Sequence, residues 1–247
     1  MSFVVAANWK MNKNPKETQD FFSEFLKTEI NSSIKTIFFV PSVNALTASE
    51  ALNQSNIHWG PQNIFPAPEG AFTGETSPKI MAELGAKYVL VGHSERRKLF
   101  FESDEQTNVK IHSAQEFGLS PILCIGETLE ERKQGLTLEV LNRQLVSGLS
   151  NLQPKAELHI AYEPVWAIGT GEVASTEQVS EAHRFIRKFL IEKLPAVHQD
   201  MKILYGGSVK PSNARELAMT EEVSGFLVGG ASLEPSSFHE IIKAAQG

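Results

Sequence analysis

Residues 88–97 read YVLVGHSERR. Four apolar residues stop at a glycine, and an imidazole, a hydroxyl and a carboxylate follow in consecutive positions. The apolar run is short and does not alternate with polar residues. A strand buried on both faces of a parallel sheet has this pattern. Ser94-Glu95-Arg96-Arg97 can begin a helical turn directly behind it.

The same succession recurs outward in both directions. Strand-like runs occupy 3–7, 36–40, 57–61, 88–91, 121–125, 158–162, 202–205 and 226–228. The segments between them carry helix signals. Asn14-Pro15-Lys16-Glu17 supplies an N-cap, a proline at the first helical position and an acid at the third. Behind it, Phe21, Phe22, Phe25, Leu26 and Ile30 fall on one face at helical spacing. Ser77-Pro78 opens another helix that Gly85 can close. Ser103 with Gln106 and Ser175 with Gln178 are further capping boxes, and the helix after Ser175 is expected to end near Leu194. Eight such units without a linker predict a closed (β/α)8 barrel, one domain over residues 1–247. An open doubly wound sheet fits less well. It usually has a glycine fingerprint after its first strand, and here Asn8-Trp9-Lys10-Met11-Asn12 follows instead.

In such a barrel the carboxyl ends of the strands share one face, where active sites are built. Strand one ends in Asn8-Trp9-Lys10, strand four in Gly92-His93-Ser94-Glu95 and strand six in Glu163. Strands seven and eight end in Gly206-Gly207-Ser208 and Gly229-Gly230. Each residue alone has an ordinary reading: a solvated lysine, a satisfied histidine, a loop carboxylate, a tight turn. Their joint placement converges an ammonium, an imidazole and a carboxylate on one rim. The glycine turns let backbone N–H groups approach an anion, at the strand ends where barrels often hold phosphate. Ala231-Ser232-Leu233 is expected to begin a short helix facing that anion. His58, His112, His159, His183, His198 and His239 are read as structural.

Composition narrows the function. Hydrophobic residues make up 41% and charged residues 21%, and the net charge is −6. A sequence-independent nucleic-acid binder is normally basic, so nucleic acid is not an expected partner. No apolar stretch is long enough to span a membrane. The first residues read as a strand, not as a signal peptide. The single cysteine, Cys124, favours a reducing compartment, and its apolar setting reads as structural. No His, Asp and Glu cluster has metal-ligand spacing.

NWKMN at 8–12, GAFTGE at 70–75, YVLVGHSERR at 88–97, AYEPVWAIGTG at 161–171, YGGSV at 205–209 and GFLVGGASL at 225–233 occur in this order. With them the whole chain resembles the triosephosphate isomerase family. The resemblance implies interconversion of dihydroxyacetone phosphate and glyceraldehyde 3-phosphate in the cytoplasm, within glycolysis and gluconeogenesis, without cofactor or metal. It implies Glu163 as the base, His93 as the electrophile, Lys10 as the oxyanion stabiliser, and Asn8 lining the pocket. Gly169, Ser208, Gly229 and Gly230 correspond to the phosphate shell, and Glu127 to a partner of Trp166 in the open form of the loop. Another phosphate-binding barrel enzyme is the alternative. It shares the glycine turns but has no reason to combine Glu163, His93 and Lys10.

The chemistry matches these residue types. A carbon acid beside a carbonyl needs a carboxylate to take its proton and fixed donors for the oxyanion that forms. The loop 164–174 begins one residue after Glu163, with Pro164-Val165-Trp166 stiff and residues 167–171 as its small tip. Its closure is expected to carry the carboxylate inward and exclude water. By the same resemblance, loop 70–75 inserts into a second copy of the chain with Thr73 near the other site, making a homodimer. Three positions depart from the family's pattern. Ser224 stands where an aspartate is common, leaving Arg187 to find another partner. Glu172 and Glu234 each replace a common lysine.

Overall fold

The computed structural model describes residues 3–152, 157–169 and 172–246. Eight strands form one parallel sheet: β1 (Phe3–Asn8), β2 (Ile34–Val40), β3 (His58–Pro61), β4 (Tyr88–Val91), β5 (Ser120–Ile125), β6 (His159–Tyr162), β7 (Ile203–Tyr205) and β8 (Gly225–Val228). The connections carry α1 (Pro15–Phe25), α2 (Ala45–Leu52), α3 (Pro78–Glu83), α4 (Ser94–Leu99), α5 (Asp104–Glu116), α6 (Leu129–Lys133), α7 (Thr137–Gly148), α8 (Thr176–Lys193), α9 (Pro211–Ala218) and α10 (Pro235–Ala244).

Ladder pairing runs from β3 through β2, β1, β8, β7, β6 and β5 to β4. At the seam between β3 and β4 the Lys87 N–H donates to the Trp59 carbonyl at 3.0 Å. A Cβ on Gly60 would lie 1.8 Å from the Tyr88 oxygen, so only glycine lets the two strands close. The expected (β/α)8 barrel is thus the fold.

Strand alternation separates two cores. Val4, Ala6, Ile37, Phe39, Leu90 and Ile122 belong to one, with Cys124, Ala161, Leu204 and Leu227. Val5, Ala7, Phe38, Val89 and Val91 pack instead with the helices. Trp9, just past β1, stacks on Phe22 at 5.2 Å and meets Phe21 edge-on at 4.9 Å. That aromatic cluster ties the rim to α1. The apolar face of α1 is narrower than expected: Phe21, Phe22 and Phe25 are buried, whereas Leu26 is the exposed C-cap.

The capping boxes at Asn14, Ser103 and Ser175 each form with both hydrogen bonds. Ser77 caps α3 through the Ile80 N–H, and Gly85 follows that helix at φ +94°. The short helix expected after Gly229-Gly230 forms one residue earlier than read. Residues 230–232 make a single 3-10 turn, Gly230–Ser232, and α10 begins only at Pro235. The chain is extended at Glu234 (φ −112°, ψ 126°), the conformation a residue before proline favours, and this interrupts the turn.

Arg187 on α8 finds other partners despite Ser224. Its Nε donates to Glu222 Oε2 at 2.9 Å, and its Nη1 donates to the carbonyls of His198 and Met201 at 2.6 and 3.1 Å. Glu222 reaches it from a left-handed backbone (φ +64°) two residues before Ser224. Ser224 Oγ instead accepts the Ile203 N–H at 2.8 Å.

Candidate active site

A cavity of about 280 Å³ opens at the carboxyl ends of the strands. Asn8, Lys10, His93, Glu163, Gly169, Ser208, Gly229 and Gly230 all line it. Every site residue expected from the sequence therefore borders the same space.

Lys10 reaches the cavity from a strained backbone at φ +52°, rare for a residue with a side chain. Three contacts hold it there. Its N–H donates to Asn8 Oδ1 at 3.0 Å, and its carbonyl accepts from Gln62 Nε2 at 2.8 Å. Its ammonium pairs with Glu95 at 2.6 Å.

His93 is the N-cap of α4. The helix's first amides therefore point at the site. The Ser94 N–H donates to Glu163 Oε2 at 2.9 Å, and the Glu95 N–H donates to His93 Nδ1 at 3.2 Å. An Nδ1 that accepts carries no proton, so the ring proton lies on Nε2, 3.0 Å from Glu163 Oε1.

Glu163 follows β6 directly and is almost fully buried. Its backbone passes so close to Gly126 that a Cβ there would meet the Glu163 oxygen at 1.7 Å. Burial pushes the Glu163 pKa up, but His93 and the Ser94 amide outweigh it and hold the carboxyl below its ordinary range. Burial likewise disfavours the His93 imidazolium. While the two groups touch, the Glu163 carboxylate overcomes that and raises the His93 pKa.

The first turn of the loop after Glu163 extends further than expected. Val165–Ala167 form one 3-10 turn with Ala167 fully buried, so Ala167 belongs to the stiff end and not to the tip. Ile168 and Gly169 continue over the cavity, with Gly169 at φ +70°. Thr170 and Gly171, which the sequence assigns to the tip, lie outside the described residues. Trp166 Nε1 donates to Glu127 Oε1 at 2.9 Å, the pairing the resemblance implied.

The sequence marks Ser94 and Glu95 only as the start of a helical turn, which α4 bears out, and gives Gln62 no role in the site. A signal existed for the first two, which follow His93 directly in the same rim segment. Gln62 follows β3 at that rim, but its bond to Lys10 spans 52 positions in sequence. The six histidines read as structural lie outside the cavity lining. Among the described residues no three His, Cys, Asp or Glu side chains gather to hold a metal ion, and no helix is long and apolar enough to cross a membrane.

Residues 3–245 match the sequence profile described as triosephosphate isomerase. A curated protein of that name from Bdellovibrio bacteriovorus is 46% identical over 245 residues, covering 98% of this chain and 99% of the relative. One from Fusobacterium nucleatum is 45% identical over 247 residues, covering 98% of each. One from Aquifex aeolicus is 44% identical over 244 residues, covering 98% and 99%.

Proposed function

The chain belongs to the triosephosphate isomerase family and interconverts dihydroxyacetone phosphate and glyceraldehyde 3-phosphate; we propose that Glu163, His93 and Lys10 carry that reaction. The observation that supports these roles is the shared cavity, which brings a carboxylate, an imidazole and an ammonium from three strand ends to one small space.

Glu163 removes a proton from the carbon beside the carbonyl and returns it to the neighbouring carbon. To do so it leaves the Ser94 amide and His93. The loop 164–174 begins at the next residue, so its closure moves the carboxylate and covers the site in one step. The departure of Glu163 also frees His93 Nε2–H. A neutral ring can then donate to the substrate oxygen and take the proton back. Lys10 stabilises the enediolate oxygen. A fixed donor of this kind contributes about 3–4 kcal/mol. Its strained backbone is held by Asn8 and Gln62, so the ammonium is oriented before substrate arrives.

Gly169, Ser208, Gly229 and Gly230 hold the phosphate. Glycines and the 3-10 turn Gly230–Ser232 give an anion close access to the backbone there. The net charge of −6 does not attract an anion, so local groups must supply the attraction.

The enzyme is further proposed to be a cytoplasmic homodimer. Loop 70–75 carries Phe72, partly exposed and 4.2 Å from Phe65, next to Thr73. Met11, Leu99, Phe100 and Phe101 are exposed beside the Lys10 and His93 segments. An exposed loop and exposed apolar side chains on one chain suit a two-fold interface. Sedimentation at micromolar concentration tests the dimer. A coupled assay with glyceraldehyde 3-phosphate tests the reaction, and no turnover by the purified chain would refute it.

A further inference from the structure

We infer that Arg132 is a positioning residue for the lid, acting through the face of Trp166. This rests on the isomerase reading above and adds a residue outside the cavity lining.

The Glu127 carboxylate is fully buried at the end of β5 and is shared by three donors. Tyr162 Oη donates to it at 3.1 Å, Trp166 Nε1 at 2.9 Å and Arg132 Nη1 at 3.1 Å. The Arg132 guanidinium carbon also lies 4.8 Å from the centre of the Trp166 ring. The indole is thus held twice, at its N–H edge by the carboxylate and on its face by the cation that neutralises that carboxylate. A flat guanidinium can do both at once.

Arg132 belongs to α6, a short helix fixed at its start by reciprocal Thr128–Glu131 bonds. The neighbouring Val165 N–H donates to the Glu127 carbonyl at 3.1 Å. The β5–α6 segment therefore grips the lid's first turn at both backbone and side chain. Trp166 is three residues from Glu163. Any swing of the lid that turns the indole must break or carry the Arg132 contact, so that contact biases lid closure.

The consequence appears in a side reaction. An enediolate exposed to water can push its electron pair toward the adjacent carbon. The C–O bond to phosphate then breaks, and inorganic phosphate leaves with that bond's electrons. The remaining enol tautomerises to a dicarbonyl. A well-set lid suppresses this branch.

The test compares wild type, Arg132→Gln and Arg132→Lys, each alone and with Trp166→Leu. Both isomerisation and phosphate release are measured. Arg132→Gln removes a contact made while Glu163 still rests on Ser94 and His93, so it should shift the fraction of turnovers that release phosphate by about threefold to tenfold, the scale of a cation–π contact. Arg132→Lys keeps a charge for Glu127 and should shift the fraction less, in the same direction. With Trp166→Leu, neither change should add a further effect. An unchanged fraction in both Arg132 variants overturns the inference, and so does an equal effect with the indole absent. If Arg132→Gln does not fold, Arg132→Lys decides by the same criteria. Absent isomerisation by wild type would instead overturn the isomerase reading.

Discussion

Strand β6 has a glutamate near each end, and the two sit in opposite worlds. Glu157, two residues before it, accepts Lys35 Nζ at 2.6 and 2.8 Å and Tyr88 Oη at 2.5 Å, with His159 Nε2 at 3.6 Å. These partners join β2, β4 and β6 across the barrel floor. Glu163, one residue after the strand, is more deeply buried, yet it borders an open cavity. Burial opposes charge at both sites, and hydrogen-bond donors overcome it at both. The difference lies in what the partners can do. Lys35 and Tyr88 are held on barrel strands away from the rim cavity. His93 and the Ser94 amide stand at a cavity where a substrate oxygen can take their place. On the proposed reading, the same residue type serves stability at the floor and chemistry at the rim.

The comparison predicts opposite phenotypes. At the rim, Lys10→Met should lower kcat/KM by about 10²–10³-fold, the loss expected for one fixed oxyanion donor, with the folded circular dichroism spectrum unchanged. Intact turnover would place Lys10 outside the chemistry. At the floor, Glu157→Gln should do the reverse. Removing the charge that Lys35 and Tyr88 address should cost about 1.5–3 kcal/mol in denaturant unfolding and leave kcat within about twofold. A large loss of kcat without a loss of stability would erase the distinction.

A smaller effect sharpens the floor's side of the contrast. Burial depresses the His159 pKa to about 4, from an ordinary 6.5. The unfolded chain then binds the proton more readily between those values. The stability is complete above 6.5 and is lost as pH falls toward 4. Between pH 7 and pH 5 this histidine alone should account for about 2 kcal/mol. Denaturant unfolding at the two pH values checks it, and His159→Gln should flatten the difference by that amount. An equal pH dependence in the variant would show that His159 is not the source.

Much of this was legible in the sequence because it is local. The strand runs, the capping boxes at Asn14, Ser103 and Ser175, and the polar residue after each strand all follow from neighbours in the chain. The barrel then carries Lys10, His93 and Glu163 to one rim by topology alone. What was not legible depends on pairings distant in sequence. Glu95 holds Lys10 across 85 positions, Ser94 holds Glu163 across 69, and Glu222 meets Arg187 across 35. The short helix expected at 231–233 does form, one residue earlier and as a single 3-10 turn, because Glu234 before Pro235 prevents it from continuing.

The most direct measurement follows proton exchange and isomerisation together, by NMR in deuterated water, for wild type and Glu163→Asp. Shortening the side chain moves the carboxylate back by about 1 Å, which can cost about 10²-fold. The expected result is that wild type incorporates solvent deuterium at the carbon beside the carbonyl, and that exchange and turnover fall together by about that factor in the variant. Undiminished exchange and turnover in Glu163→Asp would contradict the assignment of Glu163 as the group that moves the proton.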